Sequence, residues 1–133
     1  MFGKQAQPPI KSLIAQGSRI DGNITFTDGL RVDGEVVGDI RAGTEQSSIL
    51  VISEAAVVLG EIHAAHVIIS GTVRGPVHAQ HLLELQPKAR IEGDVYYKAI
   101  EMHLGAVVAG QLRPLQALDE KPLLKLAANN PRG

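Results

Sequence analysis

Four of the five histidines form two matched pairs, His63 with His66 in HAAH and His78 with His81 in HAQH, fifteen residues apart. Imidazole nitrogens are good zinc ligands, and four of them around one ion would make a tetrahedral site. Such a site needs a fold that stacks residues fifteen positions apart, as successive coils of a solenoid do. The flanking segments, however, align as one unit, GEIHAAHVI against GPVHAQHLL, so repetition alone accounts for the match. In the equivalent place GDIRAGT carries Arg41 and GDVYYKA carries Tyr96. A position that accepts His, Arg and Tyr reads as a surface ladder, so no metal and no other cofactor is assigned. His103 has no matching partner.

Other chemistry is scarce. There is no cysteine, which removes disulfides, thiolate metal sites and cysteine nucleophiles. No GxGxxG, phosphate-binding loop or GxSxG occurs. The acids Asp21, Asp33, Glu35, Asp39, Glu61, Glu92 and Asp94 flank glycines or aliphatics. Strand alternation points them outward, as a solvated face. No catalytic residue emerges, and a net charge of -1 gives no reason to expect a nucleic-acid partner.

The elements that would position any site follow from a repeat. The pattern aliphatic-x-Gly-x-aliphatic recurs as IDGNI (20–24), VDGEV (32–36), VVGDI (36–40), VLGEI (58–62), ISGTV (69–73), VRGPV (73–77), IEGDV (91–95) and VAGQL (108–112). Asp-Gly between hydrophobic residues ordinarily signals a hairpin. A two-residue hairpin would pair Ile20 with Asn23, Val32 with Glu35 and Ile91 with Asp94, and cross-strand partners share a face. The aliphatics are instead in phase at i and i+4, which reads as a strand that carries on with glycine facing in. Gly75, Gly93 and Gly110 are 18 and 17 residues apart, the length of a coil with three short strands. Only 3% of the chain is aromatic against 44% hydrophobic, which suits a thin interior between close backbones. The polar strip RAGTEQSS (41–48) breaks the spacing and reads as a loop insertion. The expected fold is an all-β parallel solenoid of about five to six coils, about 25–30 Å long at one strand spacing per coil.

Five of the seven prolines lie near the ends, where they cannot extend a sheet. The expected organisation is a flexible tail over 1–13, the solenoid over 14–112 and a second flexible tail over 113–133. Each tail carries a charge of +2, while the central region holds seven cations and twelve acids. No signal peptide and no membrane span is expected, because no charged start precedes an apolar run and no apolar run approaches the required length.

With that pattern in place, the sequence resembles the bactofilins, a bacterial family of polymer-forming cytoskeletal proteins. The likeness rests on the order of MFGK, SLIAQGSRIDGNI, LRVDGEVVGDI, VIISGTVRGPVHA and ARIEGDV along nearly the whole chain. It implies a right-handed, three-sided parallel β-helix with disordered tails. It also implies self-assembly into filaments without nucleotide, cytoplasmic and peripheral at the inner face of the cell membrane. Such filaments scaffold cell-wall enzymes and cell shape, and the resemblance implies contacts that join like end to like end.

The residues supply a mechanism for such assembly. A stack of coils has two open ends, and uncapped ends recruit further chains. Leu13, Ile14, Ile20 and Ile24 offer no charged cap at the first coil, and Val107, Val108 and Leu112 offer none at the last. These seven are the expected polymerisation interface. Met1 and Phe2, with Lys4 and Lys11 near anionic headgroups at about 1 kcal/mol per cation, are the expected membrane-binding residues. The partners expected are further copies of the chain, the inner-membrane lipid surface and scaffold clients such as cell-wall enzymes. The rival reading is a solenoid enzyme of the hexapeptide acyltransferase or zinc hydratase type. Glycine steps of 12, 4, 22, 11, 4, 18 and 17 do not keep the six-residue period it needs.

Overall fold

The computed structural model describes residues 9–43 and 47–115. They form fifteen strands, every pair of them parallel, wound into six coils with three sides each. The first coil holds β1 (Ser12–Ile14), β2 (Arg19–Asp21) and β3 (Ile24–Phe26). The second holds β4 (Gly29–Val32), β5 (Glu35–Val37) and β6 (Ile40–Ala42). β7 (Ile49–Ile52) and β8 (Val57–Leu59) open the third. Then β9 (Ile62–Ile69), β11 (Val77–Leu85) and β13 (Val95–Met102) each run from the third side of one coil onto the first side of the next. β10 (Thr72–Arg74) and β12 (Arg90–Glu92) occupy the second side between them. β14 (Val107–Ala109) and β15 (Leu112–Pro114) complete the sixth coil.

The register explains why the sequence folds this way. On the first side Ile14, Val32, Ile52, Ile69, Leu85 and Met102 stack in one column. On the second, Ile20, Val36, Val58, Val73, Ile91 and Val108 do the same. On the third the column is Ile24, Ile40, Ile62, Val77, Val95 and Leu112. These columns line the core, and their middle members are fully buried. Each such Val, Ile or Leu contributes roughly 1.5–3 kcal/mol relative to exposure. Among the described residues, the rings turned inward are Phe26 and Tyr97, of the first and fifth coils.

The glycines correct the reading of a strand that carries straight on. Gly22, Gly38, Gly60, Gly75, Gly93 and Gly110 lie between strands, at the corner joining the second side to the third. At all of these but Gly110 the chain bends through a backbone region that side chains rarely adopt, with φ of +150° at Gly38 and +149° at Gly75. They also form a column, since a Cβ on Gly38 would strike the Gly22 carbonyl and one on Gly60 the Gly38 carbonyl. Inward residues therefore keep their four-residue spacing across a bend, which imitates unbroken alternation. A different corner, from first side to second, uses a four-residue turn in the first coil, where Ser18 N–H donates to the Ala15 carbonyl at 3.0 Å. The same turn recurs at Ser53–Ala56, Gln86–Ala89 and His103–Ala106.

Two further departures are local. β6 extends through Ala42, so the insertion begins at Gly43 and not at Arg41. Ser48 at its far end is buried, its Oγ accepting the Ala65 N–H at 3.0 Å where β9 turns the corner. Nor are all the acids merely solvated. Asp39 Nα–H donates to Asn23 Oδ1, Glu61 Nα–H to Asp39 Oδ1 and Gln111 Nα–H to Asp94 Oδ1, each at 2.9 Å. The residue after the corner glycine thus caps the backbone of the next coil.

Candidate functional site

The chemistry that the fold leaves open lies at its two ends. Among the described residues, each strand of the first and last coils has a single ladder partner on its own side. At the N-terminal end the inward residues are Ile14, Ile20, Ile24 and Phe26. Ile14 and Phe26 are only 8% and 6% exposed, and the other two are half-buried. They line a shallow apolar hollow with Leu30. At the C-terminal end the inward residues are Ile100, Met102, Val108 and Leu112. Met102 is 46% and Leu112 47% exposed, so this end is the more open of the two.

Five of the seven expected interface residues therefore face along the rod: Ile14, Ile20, Ile24, Val108 and Leu112. Leu13 and Val107 do not. Leu13 shares its rung with Arg31 and Val107 with Arg90, which point out to solvent because neighbours along a strand alternate. Sequence reasoning missed Phe26, Ile100 and Met102, which become end residues only through their register with Ala42, Leu83 and Leu85. Leu104, 94% exposed at the last turn, was also passed over. Of the expected membrane-binding set, Met1, Phe2 and Lys4 lie outside the described residues. Lys11 pairs with Asp28 at 2.7 Å, which raises its pKa.

The histidine pairs resolve differently from their sequence match. On the third side Thr25, Arg41, His63, His78, Tyr96 and Arg113 form one outward ladder, as the repeat alignment expected for Arg41, His63, His78 and Tyr96. The His63 and His78 rings stack at 4.1 Å, and His78 stacks on Tyr96 at 4.5 Å. His66 and His81 are not partners. β11 carries one more residue than β9 at the corner, so His66 stands opposite Leu82. Its Nε2 meets Glu84 Oε2 at 2.9 Å instead. A tetrahedral site of four imidazoles is not assembled.

The geometry is a rod with polar sides and apolar ends. The family model of the bactofilins, described as polymer-forming cytoskeletal, matches residues 12–113. The chain belongs to the bactofilin family. The match spans all fifteen strands apart from Pro114, the last residue of β15. No curated protein and no solved structure matches the chain.

For a bactofilin, the contrast between sides and ends is the informative one. The sides carry short ion pairs, including Arg31 with Asp33 at 2.9 Å, Arg74 with Glu92 at 3.4 Å and Arg113 with Asp94 at 3.1 Å. Exposed pairs of this kind add little stability. They make the walls charged where the ends are apolar. No helix among the described residues is long and apolar enough to cross a membrane.

Proposed function

We propose that this bactofilin polymerises without nucleotide by stacking its solenoids end to end, and that the polymer lies against the inner face of the cell membrane and organises cell-wall or cell-shape machinery. The observation that carries the reading is the pair of apolar end surfaces, Ile14, Ile20, Ile24 and Phe26 against Ile100, Met102, Val108 and Leu112. Each is a slice of the same core, so an added rod continues the columns that build a single one. Strand edges left with one neighbour supply the hydrogen-bonding groups. Negative-stain microscopy of the purified chain, with no nucleotide or metal added, tests this directly: long filaments support it, and a discrete monomer or trimer at high concentration ends it.

The membrane part of the reading rests on MFGK at the start of the chain, with two apolar residues beside a cation. One such segment binds weakly, but a filament presents many copies, and avidity multiplies weak contacts. Deleting residues 2–5 is expected to reduce co-sedimentation with anionic liposomes while filaments persist. Unchanged co-sedimentation removes the tail from the reading.

A further inference from the structure

The third-side ladder brings together three groups that sequence spacing did not combine. His63 Nε2 lies 2.9 Å from Glu61 Oε1, and the His78 ring lies flat against that of His63. One donor atom from each of Glu61, His63 and His78 falls within 4.8 Å of the others. We propose that Glu61, His63 and His78 form a binding site for a divalent transition-metal ion of the zinc class.

The backbone explains why this carboxylate is not used as a cap. Glu61 follows a corner glycine, the place where Asn23, Asp39 and Asp94 cap the next coil. Its counterpart in the next coil is Pro76, which has no N–H to cap. The Glu61 side chain therefore turns along the ladder to His63. Two imidazoles and a carboxylate are a ligand set that suits zinc, with solvent completing the coordination.

The donors need only a small adjustment. Ligand atoms around tetrahedral zinc stand roughly 3.3 Å apart at metal–nitrogen distances of about 2.0–2.1 Å. Parallel rings cannot both aim a lone pair at one ion, so His63 and His78 must fan apart. Rotation of an imidazole about its Cβ–Cγ bond is soft enough to allow it. The imidazoles must also be neutral to bind metal. The opposing group is Arg41, whose guanidinium lies 3.5 Å from Glu61 Oε1 and competes for it.

The test is titration of the full chain with zinc chloride by calorimetry, with cobalt(II) absorption as a second readout of coordination. One ion per chain is expected. Affinity should fall by about tenfold or more in Glu61→Gln, His63→Ala and His78→Ala. His81→Ala and His103→Ala should bind as the unaltered chain does. Arg41→Gln should bind more tightly, and this variant decides the matter if an alanine variant fails to fold. Absence of binding at micromolar zinc overturns the proposal. So does equal binding by all variants, or an Arg41→Gln chain that binds no better. None of these outcomes depends on whether the protein polymerises.

Discussion

Val73 and Val108 hold the same place in their coils, on the inward rung of the second side. Ile91 lies between them in the column. Val73 is completely buried, whereas Val108 is half-buried. The residue type, strand position and inward direction are identical, so only the presence of a further coil differs. An end of this rod is thus a place where the stack stops, and it carries no chemistry that the middle lacks. On the proposed end-to-end stacking, recognition between copies needs no dedicated motif, because the surface offered to a partner is the one each coil offers the next. The two ends still differ in degree, since Leu112 is 47% exposed and Ile14 only 8%.

Placing arginine at both valines tests that equivalence most severely. Val73→Arg buries an unpaired charge and is expected to cost about 4 kcal/mol or more, so circular dichroism should show an unfolded or insoluble chain. Val108→Arg should leave the spectrum and melting unchanged while reducing filaments to short or monomeric species. Long filaments from Val108→Arg would mean that the C-terminal slice is not a contact surface. A smaller contrast uses the glycines. Gly60→Ala in the middle forces a Cβ against the Gly38 carbonyl and is expected to cost about 3 kcal/mol. Gly17→Ala, in the first coil's turn with open space around it, meets only backbone strain of about 1 kcal/mol. Equal denaturation midpoints for the two would refute the tight column.

The cap comparison should be weaker again. The Gln111 N–H and then Arg113 hold the Asp94 carboxyl below its usual range, whereas among the described residues Asp21 pairs with Arg19 on its own strand. Asp94→Ala should lower the melting temperature and Asp21→Ala should not; equal losses would deny the cap its role. The smallest effect concerns pH. Below about 6.5 the unfolded chain takes up a proton that folded His78 resists, so stability should fall as pH drops through that range. Arg41, His63, Glu61 and Tyr96 are the groups that face this ring. His78→Gln should flatten that part of the melting profile measured without metal, and parallel profiles for the two chains would assign the slope elsewhere.

The solenoid was legible because the repeat records its inward columns directly. Ile20, Val36, Val58, Val73, Ile91 and Val108 can be found from glycine spacing alone. What the repeat hides is the corner, since Val36–Gly38–Ile40 has the same spacing whether the chain runs straight or bends at glycine. The four-residue turns leave a fainter trace, a small residue at the fourth position (Ser18, Ala56, Ala89 and Ala106). Register at the histidines was half-legible. One extra residue in β11 preserves the His63–His78 match and moves His66 away from His81, and a bulge of that kind has no sequence signature. Leu13 was misplaced for a simpler reason: position near an end says nothing about direction, and its neighbour Ile14 takes the inward place.

Every hydrogen bond between coils runs along the rod, from the Gly22 N–H and the Val37 carbonyl to the Gly93 N–H and the Ala109 carbonyl. A pull on the long axis loads these bonds in line and opens them one coil at a time, as a zipper opens. A sideways push instead meets three walls braced against one another. A rod of this kind is expected to yield by peeling from an end, where the coil has a single neighbour. Joined to another copy, that coil gains a second neighbour, and the same bonds that made it fragile become part of the shaft.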